Sequence, residues 1–177
     1  MIRKAIKEDI PAVVRIYNHI HQQEKEGLVH IGWKSDIYPT EDTAIAALER
    51  KDLFVFESDN EIVASAIINK TQVPEYINGN WLYTANDDEV MVLHTLVVDP
   101  VSSSHGIGKQ FIAFYEDYAR QHSCKVLRLD TNAVNTIARH LYPHLGYREA
   151  GIVPCIFNGI KDVQLVLFEK EIPMHEI

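Results

Sequence analysis

The stretch from Glu89 to Phe111, EVMVLHTLVVDPVSSSHGIGKQF, joins a β-rich run to a helical one through glycines. The β-branched run stops at Asp99-Pro100, where proline has no N–H to give a ladder. From Gly106 onward Ile107, Phe111, Phe114 and Tyr118 recur at helical spacing and predict a core-facing stripe. A chain that switches between these two periods must pack helices on a sheet, which predicts a mixed α/β fold.

The rest of the chain extends the pattern. Ile2 to Ile6 predicts a strand. Asp9 caps a helix with Pro11 in its first turn, and Val13, Tyr17 and Ile20 share one face. Thr40 opens a second helix that runs to Arg50, with Ile45 and Leu48 inward. LFVFESDNEIVASAIINK predicts a hairpin about Asp59-Asn60. KVLRLD is a strand, and AVNTIARHLYPHLGY is a helix that stops at Gly146. Arg148–Phe157 and Val163–Glu169 complete a sheet. The order is β-α-α-β-β-β-α-β-α-β-β, without repeats or linkers, so residues 1–177 are expected to form a single domain.

Several classes of function are disfavoured at once. The amino terminus MIRKAIKEDI alternates apolar and charged residues and has no signal-peptide h-region. The longest apolar runs are too short for a bilayer, so no membrane partner is expected. Cys124 and Cys155 have neither zinc-site nor CxxC spacing, and reduced thiols in a cytoplasmic protein are the plain expectation. The net charge is −8 with no basic run, which disfavours nucleic acid; it either keeps the protein soluble or attracts a cationic substrate such as an amine.

A helix N-terminus presents unpaired N–H groups and the positive end of its dipole, and glycines allow a bulky anion to come close. Gly106-Ile107-Gly108 at a strand-to-helix joint is therefore either a plain tight turn or a phosphate cradle, and the glycines alone do not decide. It lacks the Ser or Thr of a P-loop and the third glycine of a dinucleotide fingerprint. Leu96-Val97-Val98-Asp99-Pro100 and Gly106-Ile107-Gly108, followed downstream by Asn135, Ala138, Leu141, Tyr142 and Gly146, together resemble the GNAT superfamily of acyl-CoA-dependent N-acetyltransferases. The resemblance spans nearly the whole chain. The stretches around Trp33, Pro74-Glu75-Tyr76 and Leu93-His94-Thr95-Leu96 are similar to a bacterial branch of small GNAT proteins.

The resemblance implies a GNAT fold: a central, mostly antiparallel sheet with splayed strands, flanked by about four helices. It implies acetyl-CoA as co-substrate and no metal. Leu96, Val97 and Val98 would pair with the pantetheine arm, the Leu96 N–H polarising the thioester carbonyl. Ser103, Ser104, His105, Gly106, Ile107, Gly108 and Lys109 would wrap the pyrophosphate, and Asn135 would hold the arm from its far side. Ser103 stands where the family usually has Arg or Gln, which weakens a side-chain contact but leaves the backbone cradle.

Acid and base candidates follow from the chemistry. Tyr142 matches the family's tyrosine and would protonate the departing sulfur while also touching the cofactor; otherwise it is core beside Leu141. The base is His94 or Asp130. His94 shares a strand face with Leu96 by period-two alternation, and its ordinary pKa of about 6.5 needs little adjustment, which favours it. The alternatives are a satisfied strand histidine for His94 and a carboxylate bonding the following helix for Asp130. Glu89 could act through water. His140 and His144 are surface histidines, with no third metal ligand in view. Trp33, Tyr38, Tyr76 and Trp81 are either core or an acceptor pocket carried by the loops His21–Pro39 and Thr71–Asp88.

The expectation is a cytoplasmic N-acetyltransferase that joins acetyl-CoA to a small-molecule amine by direct attack. The alternatives are a protein lysine or N-terminal acetyltransferase and a non-catalytic acyl-CoA-binding module. A homodimer is compatible with the sequence.

Overall fold

The computed structural model describes residues 1–102 and 106–174. Among them the chain forms β1 (Ile2–Lys4), α1 (Ile10–Lys25), α2 (Glu41–Arg50), β2 (Leu53–Ser58), β3 (Glu61–Asn69), β4 (Val90–Val98), α3 (Ile107–Gln121), β5 (Val126–Asn132), α4 (Thr136–His144), β6 (Arg148–Phe157) and β7 (Ile160–Glu171). This is the expected order. The strands form a seven-stranded sheet ordered β1-β2-β3-β4-β5-β7-β6. β1–β2, β2–β3, β5–β7 and β7–β6 pair antiparallel. β4 and β5 pair parallel, as a crossover through a helix requires. Their register covers Val90–Leu93 against Val126–Leu129, the first four of the nine residues of β4.

The chain divides into two compact units. The first holds Met1–Val29, Trp33–Ile68 and the described residues of His94–Phe114; the second holds His30–Gly32, Asn69–Leu93 and the described residues of Tyr115–Ile177.

In the first unit Val13, Ile16 and Tyr17 of α1 pack with Ala44 and Ala47 of α2, Leu53 and Val55 of β2, Ile62 and Ile67 of β3 and Val97 of β4. Each of the Val, Leu and Ile side chains among them contributes roughly 1.5–3 kcal/mol by leaving water. The inward face of α2 differs from expectation. Ala44 and Ala47 are buried and Leu48 packs partly against the core, while Ile45 is 36% exposed. Asp9 differs as well. Its carboxylate turns back to accept from the Ile6 N–H (2.8 Å) and the Arg3 guanidinium (2.7 Å) instead of capping α1 forward. The Asp59-Asn60 turn is as expected, with both residues at positive φ (52° and 64°), the requirement of a two-residue hairpin loop. α1 continues to Lys25, so His21 is helical and the connection to α2 begins later than the sequence suggests.

In the second unit β5 and β7 supply Val126, Leu127, Leu129, Leu165, Val166, Leu167 and Phe168, all buried. The stripe of α3 rotates along its length. Ile107 and Phe111 are buried as expected, but the later positions are Tyr115 and Ala119, while Phe114 and Tyr118 are half-buried. The buried Tyr115 hydroxyl donates to Met91 O (2.6 Å) on β4, with Arg128 O of β5 3.1 Å away. It thereby ties the helix to the paired portion of these two strands.

Candidate active site

The first unit carries the strand-to-helix joint. Asp99, 2% exposed, fixes the end of β4. Its N–H donates to Val63 O (2.8 Å), its Oδ1 accepts from Val101 N–H (3.0 Å), and the same oxygen meets His19 Nδ1 at 2.9 Å. α3 starts at Ile107. Gly106 has φ of 90°, and a Cβ built there would meet no atom of the described residues within 4 Å. A Cβ on Gly108 would lie 3.9 Å from Val98 Cγ2, an ordinary contact. Among the described residues the backbone at the head of α3 is thus open, and the N–H groups at the start of its first turn lack helical acceptors. That arrangement fits a diphosphate. Ser103, Ser104 and His105, expected in the same cradle, lie outside the described residues. Lys109 is exposed beside it.

The same unit contains a cavity of about 550 Å³ that reaches the joint through Asp99, Val101 and Ser102. Its carboxylates Glu8, Asp9, Glu57, Glu61 and Asp99 outnumber Arg3 and Arg15, so it does not suit a phosphate.

β4 is irregular just before the joint. Leu96 and Val98 are half-buried and Val97 is buried. Thr95 has φ of 50°. A β-branched residue in the left-handed region costs on the order of 1–3 kcal/mol and breaks the two-residue alternation. The shared face expected for His94 and Leu96 rested on that alternation, so it does not follow. The Tyr38 hydroxyl hydrogen-bonds Thr95 Oγ1, and Trp33 meets the Tyr38 ring edge-on, centroids 6.2 Å apart.

The second unit brings together Asp130, Tyr76 and Tyr142. Asp130 lies within β5 rather than at its end, half-buried between buried neighbours. Its Oδ2 accepts from the Tyr76 hydroxyl at 2.6 Å. Burial pushes its carboxyl up to about 7; the Tyr76 bond pulls it down, and the charge of Glu75 pushes it up. Asp130 does not bond the helix that follows. Asn135 caps α4 instead, its Oδ1 accepting from Ala138 N–H at 3.2 Å.

Tyr142 is buried between Tyr147 and Phe168, with ring centroids 5.8 and 5.4 Å away. Burial, and then the charge of Asp130, push its phenol above the ordinary range, so it stays protonated at neutral pH.

Tyr76 is buried, and its backbone O accepts from Trp81 Nε1 at 2.7 Å. The Arg128 guanidinium lies 4.0 Å over the Trp81 ring. Arg128 also donates to Gln72 Oε1 (2.5 Å), and Glu169, fully buried, accepts from the N–H groups of Leu82 and Tyr83 at 2.8 and 3.0 Å. These bonds anchor the polar 71–83 segment that carries Tyr76. Sequence reasoning missed Tyr76 as Asp130's partner because 54 positions separate them.

Burial pushes the Cys124 thiol up, and burial with the charges of Glu75 and Asp130 does the same to Cys155. Neither is a ready thiolate nucleophile. His140 and His144 turn their Nδ1 atoms to helix carbonyls, Thr136 O and His140 O, each at 2.7 Å. Among the described residues no group of three or more His, Cys, Asp or Glu side chains could hold a metal ion, and no helix is long and apolar enough to cross a membrane.

The chain is similar to the uncharacterised N-acetyltransferase YhfO of Bacillus subtilis, 26% identical over 152 residues that cover 84% of this chain and 89% of that one. In fold it is similar to a GNAT-family acetyltransferase of Streptococcus agalactiae (TM-score 0.79, 21% identity, 98% and 95% of the two chains covered). It is also similar to the acetyltransferase yncA of Salmonella typhimurium, solved with its cofactor acetyl-CoA (TM-score 0.68, 18% identity, 100% and 96% covered). The acetyltransferase (GNAT) family model matches residues 13–147, the span from α1 to the end of the α4 helix and its glycine turn, and the chain belongs to that family.

Proposed function

We propose that this acetyltransferase moves an acetyl group from acetyl-CoA to the primary amine of a small-molecule acceptor by direct attack. Bound acetyl-CoA supplies an acetyl group activated as a thioester. Gly106, Ile107, Gly108 and Lys109, with Ser103, Ser104 and His105, would hold its pyrophosphate. Leu96, Val97 and Val98 would hold the arm through their backbone, and Asn135 through the side-chain amide nitrogen that its cap leaves over. The Leu96 N–H serves the carbonyl oxygen.

The observation that carries the reading is Asp130. A carboxylate pushed up to about 7 and held by the Tyr76 hydroxyl is matched to accepting a proton from an amine nitrogen at neutral pH. This favours Asp130 over His94 as the base. Tyr142, kept protonated, gives its proton to the departing sulfur. The thiols of Cys124 and Cys155, both free and both pushed up, support attack without an acyl-enzyme, and they are compatible with the cytoplasm.

The acceptor class rests on charge. Glu75 and Asp130 neighbour each other in a protein of net charge −8, which favours cationic amines. CoA-thiol release measured against polyamines, aminoglycosides, amino acids and peptides tests it. Turnover is expected with small amines. Turnover confined to peptides would instead make this a protein acetyltransferase.

A further inference from the structure

β4 contains one residue whose side chain does not suit its backbone. Thr95, sixth of the nine residues, has φ of 50°. Asp59, Asn60, Asn158 and Asp162 also have positive φ, but their short polar side chains tolerate it. A threonine carries a second γ substituent that crowds the backbone there. Such strain persists only where the surroundings over-determine it, and it gathers at functional sites.

The surroundings here are Tyr38. Its hydroxyl hydrogen-bonds Thr95 Oγ1 across 57 residues of chain. Tyr38 is itself fixed. Its N–H donates to Lys34 O (2.9 Å), the two residues form a β-bridge, and Trp33 packs edge-on against its ring. The next residue, Pro39, is buried, and its carbonyl accepts from Nε2 of the buried His21 at 2.8 Å. The phenol is therefore a post anchored to α1, and the Thr95 hydroxyl is what it grips.

A left-handed residue in a strand turns the peptide that follows it out of the regular ladder. The peptide after Thr95 carries the Leu96 N–H. We propose that Tyr38 is a positioning residue for acyl transfer: by holding the Thr95 hydroxyl it keeps β4 in the left-handed turn that aims the Leu96 N–H at the thioester carbonyl, an inference that rests on the reading of Leu96 as that donor. Glycine at 95 would permit the turn but offer no hydroxyl to fix it. A donor is worth most when it is held in place before the charge develops.

Tyr38→Phe removes one hydroxyl and keeps the ring against Trp33. Infrared spectroscopy of bound acetyl-CoA, labelled with carbon-13 at the thioester carbonyl, reads the hydrogen bond to that oxygen. In the wild type the band is expected below its position for free acetyl-CoA. In Tyr38→Phe it should return most of the way to the free position, while acetyl-CoA affinity by calorimetry changes little. With an amine that the wild type acetylates, kcat should fall about tenfold or more without a matching rise in KM. Thr95→Val, which keeps the branch and loses the hydroxyl, should behave like Tyr38→Phe, and Thr95→Ser should keep the wild-type band. A displaced wild-type band that stays displaced in both Tyr38→Phe and Thr95→Val would overturn the role of Tyr38 and leave Leu96 as donor. A wild-type band at the free position would remove Leu96 as donor, and the positioning role with it.

Discussion

Asp130 is stabilising to the fold only while it is protonated. Its carboxyl moves from an ordinary 3.8 in the unfolded chain to about 7 in the folded one, mainly through burial. The folded state then binds the proton more tightly, so the stability that Asp130 contributes is greatest below about pH 4 and is lost as pH rises to 7. The difference is worth up to about 4 kcal/mol. Asp130→Asn is expected to melt higher than wild type at pH 8, to match it near pH 4, and to lose about 10²–10⁴ in kcat if Asp130 is the base. Thermal melts at the two pH values and one rate measurement check this. Tyr76→Phe acts in the opposite sense on the proton. The Tyr76 hydroxyl favours the ionised carboxylate, so its removal raises the Asp130 value further. The acidic limb of kcat/KM should move up by about one pH unit, and an unmoved limb would argue for His94. Tyr142→Phe keeps the packing on Tyr147 and Phe168 and removes only the proton donor. Acetyl-CoA affinity should hold while kcat and kcat/KM fall together by roughly 10²–10⁴ under chemistry-limited conditions.

At the scale of elements, the head of α3 offers the cleanest test of the cofactor site. A Cβ at Gly108 meets, among the described residues, only Val98 Cγ2 at 3.9 Å, and the residue has no left-handed requirement, so Gly108→Val is expected to fold. Acetyl-CoA affinity by calorimetry should nevertheless drop, because the new methyls occupy space that an anion needs against the backbone. Gly106 would be a poor choice, since φ of 90° strains any side chain there. The elements legible in the sequence are those with a local signature. The β2–β3 hairpin is written in Asp59-Asn60, and the start of α3 in its glycines. The inward face of α2 is only partly legible: Leu48 packs against the core as its size suggests, whereas Ile45 faces out and the small Ala44 and Ala47 are the buried residues. Nothing local marks Thr95 as left-handed; that conformation depends on Tyr38, far away in sequence. The Tyr76–Asp130 bond is hidden for the same reason, since an aperiodic polar segment carries Tyr76 and residues far away in sequence, among them Arg128, Ala150 and Glu169, fix its path.

At the scale of the whole molecule charge governs how substrates approach. Acidic residues exceed basic ones by 25 to 17, a net −8 with histidines neutral. Such a field extends about 30 Å at 0.01 M salt and about 10 Å at 0.1 M. It attracts a polyamine at low salt and repels anionic acetyl-CoA everywhere except at a local cradle. Raising salt should therefore lower kcat/KM for a cationic acceptor and raise or leave unchanged kcat/KM for acetyl-CoA. The acceptor slope should grow with the number of ammonium groups, because each one samples the same field. A monoamine and a polyamine compared at fixed pH, from about 0.01 to 0.15 M salt, separate this from contacts made inside the site. Short-range contacts such as those of Asp130 with a bound amine are screened far less. Equal slopes for the two amines would mean that the charge of −8 serves solubility alone and that acceptor choice is made entirely by short-range contacts around Asp130.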